Sequence, residues 1–192
     1  RYYLIKEVSF GNDGNISQKK LESSINSDLA NNYGNYCQRV ISFNEKNFNL
    51  TIPKHDSFTQ DDLNLLNRFK KDFNKLIVSI DNQDLNFYMN FVVESLFAAN
   101  KYFNDQEPWN KKSDTLRLNT IVYVSLEIIR KISIMLYPVI PSSSLKALKI
   151  FNIKEKDIKF DSIKNHSELI INKKINKIDI LFKKIDNKND WF

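Results

Sequence analysis

One cysteine, three glycines, four prolines and two histidines are all that 192 residues hold of the amino acids that staple, bend or ligate. The lone Cys37 cannot close a disulfide within the chain, so the fold must stand on packing, and a reducing, cytoplasmic setting is expected. So few Gly and Pro residues leave little material for the tight turns of a sandwich or barrel. No apolar run approaches the ~20 residues of a membrane span, and the opening residues do not read as a secretory leader. His55 and His166 lie far apart, each among polar neighbours, and neither pairs with Cys37 or with a recognisable serine turn. No His/Cys spacing suits a metal. Gly11, Gly14 and Gly34 fit neither the dinucleotide nor the P-loop pattern. The chain is therefore assigned no catalytic residue and no metal site, and is expected to do no chemistry alone.

What is present is apolar sequence at helical spacing. Hydrophobic residues make up 42% of the chain, enough for one domain with a real core, or one domain with an appendage. The net charge is +6, unevenly placed: residues 1–145 carry 17 Lys and Arg against 16 Asp and Glu, whereas 146–192 carry 12 against 7. A basic last quarter suits a polyanion, because Lys and Arg release counterions from phosphates. A solvated lysine-rich surface explains it as well.

The residue pattern predicts a mostly helical protein. The opening stretch, with Tyr2, Leu4 and Val8, reads as an apolar face continued from missing residues, and so as a fragment. After the turn cluster GNDGN, Ser17 takes an N-cap place before a first long helix over about Gln18 to Ser42. Its expected stripe is Leu21, Ile25, Leu29, Tyr33, Tyr36, Cys37 and Val40. Gly34 within it suggests close approach by a neighbouring helix. Thr59 with Asp62 approximates a capping box for a second helix carrying Leu63, Leu66, Phe69, Phe73, Leu76, Ile77 and Ile80. Asp61 and Asp62 read as acids placed against the helix dipole. Asp84 opens a third helix whose stripe is Tyr88, Met89, Val92, Val93, Leu96, Ala99 and Phe103, and Ser113 or Asp114 caps a fourth with a wide apolar face (Leu118, Ile121, Val122, Ile128, Ile129, Ile132, Met135). PSSSLKALKIF reads as a short fifth helix capped by one of its serines. Beyond Ile153 the lysine-rich stretch is expected to be a short helix or a strand-like segment wrapping back.

Two features stand out. The third helix must stop before Pro108, which lacks an N–H and restricts Glu107. This leaves Trp109 at a corner among polar residues, either as a plug for the core or as an exposed stacking surface. On the first helix, Asn35 and Arg39 are four apart and share a face, with planar, multidentate groups that could address one ligand or simply be surface residues.

Taken in order, several stretches resemble the C-terminal half of bacterial methionyl-tRNA synthetase. RYYLIKEVSFGNDGNIS at 1–17 is similar to the segment after the catalytic domain's KMSKS loop. INSDLANNYGNYCQR at 25–39 resembles the first helix of the family's anticodon-binding bundle, YFNDQEPW at 102–109 its Pro-Trp corner, and ILFKKID at 180–186 its closing run. The resemblance implies an all-α bundle of about five main helices with a basic C-terminal extension. It divides the chain into a remnant of the connection from a missing catalytic domain (1–16), the anticodon-binding bundle (17–153) and an extension packing back on it (154–192). It implies recognition of the methionine tRNA through its CAU anticodon, with Asn35, Arg39 and Trp109 forming the site and Arg1, Lys6, Lys173 and Lys174 offered to phosphates. The full-length enzyme would ligate methionine to tRNA using ATP and magnesium. This chain would hold no cofactor, touch neither membrane nor DNA, and be monomeric. The family's HIGH motif, KMSKS loop and zinc insertion have no counterpart here, and the end of the chain at Trp191 and Phe192 shows no strand-rich barrel. The alternatives are the same bundle from another class I synthetase, or a helical protein-interaction module.

Overall fold

The computed structural model describes residues 1–9 and 11–185. Its elements, in order, are α1 (Tyr2–Glu7), α2 (Gln18–Ser24), a π-helical stretch (Ile25–Gly34), α3 (Asn35–Phe48), α4 (Gln60–Lys71), α5 (Phe73–Asp81), α6 (Leu85–Asp105), a 3-10 turn (Pro108–Asn110), α7 (Thr115–Leu136) and α8 (Pro141–Ile150). Two further 3-10 turns (Glu155–Asp157, Phe160–Lys164) lead into extended chain. No strand ladder forms among the described residues; an isolated antiparallel bridge joins Thr51 to Lys174. The all-α expectation therefore holds.

The organising element is α7. Every residue from Thr120 to Leu136 is buried, so the wide face read from sequence closes into a full circle. A helix buried all round needs neighbours on every side. Here α3, α4, α6, α8 and the Phe160–Lys164 turn supply them. Three charged residues sit inside this helix: Glu127, Arg130 and Lys131. Arg130 donates to Glu127 and, through Nη1, to Ser162 Oγ at 2.8 Å. Lys131 Nζ donates to the carbonyls of Ile163, at 2.6 Å, and Asn165. Glu127 accepts the Leu169 N–H at 3.3 Å. Buried charges require such partners, and here the partners are largely backbone groups of residues 162–169. The segment beyond α8 is thus clamped to the central helix.

Several local expectations are corrected. The first helix runs on to Phe48, past Ser42, and ends with Asn49 in the left-handed region (φ 46°). Its π-helical section has i→i+5 closure, a wider turn that rotates the buried stripe. Leu21 and Ile25 become half-buried, while Ser24 and Asp28 turn inward. Asp28 is accommodated by Tyr2 Oη (3.0 Å) and Lys6 Nζ (2.8 Å) from α1. Leu4, expected on the apolar face, is exposed, because α1 buries Tyr2 and Tyr3 instead. The second helix breaks at Asp72 into α4 and α5, and the break turns Ile77 and Ile80 outward. Pro141 starts α8 after Ile140, so no serine caps it, and Ser144 is buried.

Gly34 does mark a close approach, but by extended chain. A Cβ there would lie 3.1 Å from the Leu29 carbonyl oxygen and 3.6 Å from Phe182. Residues 172–176 run beside Leu50–Ile52, with Asn172 N–H bonded to Ile52 O at 2.8 Å and Ile175 N–H to Leu50 O at 2.8 Å. Farther on, the Asn26 side-chain amide pairs with both backbone groups of Ile185, at 3.0 and 2.8 Å. Residues 175–185 are thus extended chain lying against the bundle. Asp186 of ILFKKID, Trp191 and Phe192, like Phe10 near the start, lie outside the described residues.

Burial pushes the Lys131 ammonium down to about 8, against the opposing pull of Glu127. The unfolded chain, with a lysine pKa of ~10.4, then binds more protons than the folded one between those values, so this group's contribution to stability rises with pH. Urea unfolding from pH 8 to 10 is expected to shift in favour of the parent over Lys131→Met; a pH-independent difference would show that the lysine is not so perturbed.

Candidate nucleic-acid interface

α6 ends at Asp105, and the chain turns through Gln106 into Glu107, which takes left-handed geometry (φ 44°) rather than the extended form that a following proline favours. Asn110 stabilises this conformation, its N–H bonding Glu107 O at 2.8 Å and its side chain bonding the Glu107 carboxylate at 3.2 Å. Pro108 is buried. Trp109 remains 42% exposed, so it is not a core plug.

The buried ring that supports Trp109 is Phe103, with centroids 6.2 Å apart at 71°. Phe103 also receives the edges of Tyr36 (6.4 Å, 90°) and Phe43 (6.0 Å, 86°) from α3. The Arg39 guanidinium lies over the same ring, 5.5 Å from its centroid, a cation–π arrangement. Nη2 of Arg39 donates to Asn104 Oδ1 at 2.6 Å, occupying one of five N–H donors. The structure thus joins Arg39 and Trp109 through Phe103. Asn35 shares α3 with Arg39, exposed at the start of that helix and one turn before it. There it lines a groove of about 400 Å³ with Asn31, Gln38, Phe182 and Lys184. Phe182 is held against Tyr33 at 6.2 Å, so the wrapped-back segment builds one wall beside Asn35.

Sequence reasoning placed Phe103 only in the core stripe and passed over Asn104 and Phe182. The spacing of Phe103 showed burial but could not show which surface residues would rest on it. Lys111 and Lys112, exposed just after Trp109, were legible as a basic pair following the corner. The four lysine and arginine positions offered to phosphate differ in situation. Arg1 and Lys173 are exposed. Lys6 is paired with Asp28 at 2.8 Å and Glu7 at 3.2 Å, and Lys174 Nζ is bonded to the Asn49 carbonyl at the end of α3.

Other candidate chemistry is structural. Cys37 is fully buried, and burial pushes its thiol above the ordinary range. His55, read as lying in a polar setting, stacks on Phe58 (4.7 Å) and packs against Tyr123 (4.4 Å). Among the described residues no group of three His, Cys, Asp or Glu could hold a metal, and no helix is long and apolar enough to cross a membrane.

Comparisons with known proteins agree on one family. A family model described as the anticodon binding domain of methionyl tRNA ligase matches residues 52–191, and one for class I tRNA synthetases (M) matches residues 1–41. Among solved structures, the free methionyl-tRNA synthetase of Mycobacterium tuberculosis superposes with a TM-score of 0.90 at 28% identity, over 97% of this chain and 38% of that one. Its complex with methionyl-adenylate gives a TM-score of 0.88 at 29% identity, over 95% of this chain and 37% of that one. These are class I aminoacyl-tRNA synthetases. Methionine–tRNA ligase of Thermotoga maritima is 35% identical over 98% of this chain and 30% of its own length, and that of Rickettsia conorii 33% over 97% and 37%. The chain belongs to the methionyl-tRNA ligase family and comprises its anticodon-binding domain, spanning about a third of the length of the relatives it matches.

If Phe103 is the platform, Phe103→Ala is expected to lose about 3–5 kcal/mol of stability as a large core truncation. Asn104→Ala, at an exposed site, is expected to stay within about 0.5 kcal/mol. Urea denaturation separates the two; equal losses would remove the platform role.

Proposed function

We propose that this domain reads the CAU anticodon of the methionine tRNA, as part of a protein that ligates methionine to that tRNA. Supporting this most directly is the joint seating of Arg39 and Trp109 on Phe103, which presents a guanidinium and an aromatic face side by side. Single-stranded RNA loops are recognised by just this pairing: an aromatic face stacks under an unstacked base while planar side chains bond its edges. Trp109 stacks beneath a splayed base, and Arg39 with Asn35 bonds base edges. Asn104 fixes the plane of the Arg39 guanidinium by accepting its Nη2 bond.

Phosphate contacts fall to the exposed cations Arg1 and Lys173, and to Lys111 and Lys112 beside the corner. Lys6 and Lys174 would have to leave intramolecular partners to join them. The division into a leading segment (1–16), a reading bundle (17–153) and a supporting extension (154–192) belongs to the same proposal, as do a monomeric state and a cytoplasmic location. ATP and magnesium, needed to activate methionine, are assigned in this reading to the remainder of the full-length protein. No step of activation is assigned to this domain.

Stem-loops carrying CAU are expected to bind more tightly than matched stem-loops with an altered anticodon, and equal affinity would refute the reading. Trp109→Ala is expected to lose about 1–3 kcal/mol of that affinity with helical content unchanged in circular dichroism. For the phosphate role, combined charge reversal of Lys111, Lys112 and Lys173 is expected to flatten the salt dependence of binding, by about one in slope per lost contact.

A further inference from the structure

Asp62 carries far more than a helix cap. An acid at the third position of α4 needs to accept only one backbone N–H, here that of Thr59 at 2.8 Å. Its carboxylate is nevertheless 0% exposed and takes three further donors. Arg117 grips it with both terminal nitrogens, at 2.6 and 2.9 Å, and the Tyr102 hydroxyl adds another. Burial alone would raise the Asp62 carboxyl, but the bonds from Arg117, Tyr102 and the Thr59 N–H outweigh it and hold it below the usual range. Buried ion pairs are poor sources of net stability, and geometric specificity is a common alternative reason for their presence.

The geometry in question is that of the corner. Tyr102 lies in the last turns of α6, and Arg117 in the first turn of α7. The same Arg117 nitrogen that bonds Asp62 also donates to Gln106 Oε1 at 2.6 Å. Gln106 Nε2 in turn donates to Asp61 at 3.2 Å. Gln106 immediately precedes Glu107, whose left-handed backbone is unfavourable for a residue with a side chain. On the far side, Asp114 caps α7 by accepting the Arg117 N–H at 3.1 Å, and its own N–H bonds Lys111 O at 3.0 Å. One guanidinium therefore ties both ends of the connection that carries Trp109 to a buried anion on a third helix.

We propose that Asp62, Arg117 and Gln106 form a strut that sets the pose of Trp109, making them positioning residues for the anticodon contact. The inference rests on the anticodon reading above, and Trp109 provides its own reporter. The chain has two tryptophans, so a Trp191→Phe background leaves Trp109 as the sole tryptophan, read by excitation at the red edge where tyrosine does not absorb. In that background Gln106→Leu cuts the tie between the buried pair and the corner without leaving a buried charge unpaired. Gln106→Glu keeps an acceptor for Arg117 while giving up the donation to Asp61, so it isolates the Arg117 tie.

Gln106→Leu is expected to keep the parent's thermal midpoint, lower the steady-state anisotropy of Trp109, increase its quenching by acrylamide, and weaken binding of the CAU stem-loop about ten-fold. Gln106→Glu is expected to restore parental anisotropy and most of the affinity. Parental anisotropy and quenching in Gln106→Leu would overturn the strut, whatever happens to binding. A loss of affinity without a change in anisotropy would make Gln106 a contact residue instead. Trp109→Ala, measured alongside, separates the two ideas. If it binds the CAU stem-loop as the parent does, the anticodon reading fails, whereas the strut is read from anisotropy without RNA.

Discussion

The all-round burial of α7 from Thr120 to Leu136 is the constraint from which the rest of this domain follows. A helix that faces no solvent must satisfy every polar group it carries from its neighbours. Glu127, Arg130 and Lys131 find those partners largely in residues 162–169. A lysine-rich stretch with little helical pattern is thereby held in place by main-chain hydrogen bonds. Once that stretch is clamped, the chain beyond it is delivered past Leu50–Ile52 and on to Gly34, where Phe182 packs. The central helix thus shapes the surface beside Asn35 without touching a ligand.

A second consequence concerns the corner. The start of α7 carries Arg117, and the end of α6 carries Tyr102 and Gln106. Both helices meet at the buried Asp62 carboxylate of α4. The exposed Trp109 and the half-buried Arg39 are then held from below by Phe103, which locks into Tyr36 and Phe43. Rigid support beneath an exposed aromatic reduces the conformational entropy lost when any planar group packs against it. The site combines polar reach at the surface with an aromatic lattice underneath.

Much of this was legible from periodicity. The stripes of α6 and α7, the caps Thr59, Asp84 and Asp114, and the stop before Pro108 all follow from short-range rules, because helix pattern and capping depend on residues within one or two turns. Failures arose where tertiary contacts overrode local preference. The turn to π-helical winding at Ile25 brought Asp28 inward, a placement supported by Tyr2 and Lys6 from a separate helix. The break at Asp72 turned Ile77 and Ile80 to solvent although their spacing suited a continuous stripe.

The sequence by itself determined that the chain is helical and that Asn35 and Arg39 share a helical face. Their i, i+4 relation is a property of one helix and needs no fold to express it. It also placed Trp109 at a corner beyond the stop of the third helix. Only the tertiary structure decided that Trp109 would stand exposed on Phe103 with Arg39 over the same ring, and that Asp62 would be a buried anchor rather than a surface cap. Those outcomes depend on residues some forty to seventy positions apart meeting in a packed core, and no local pattern specifies which side chains such packing brings together.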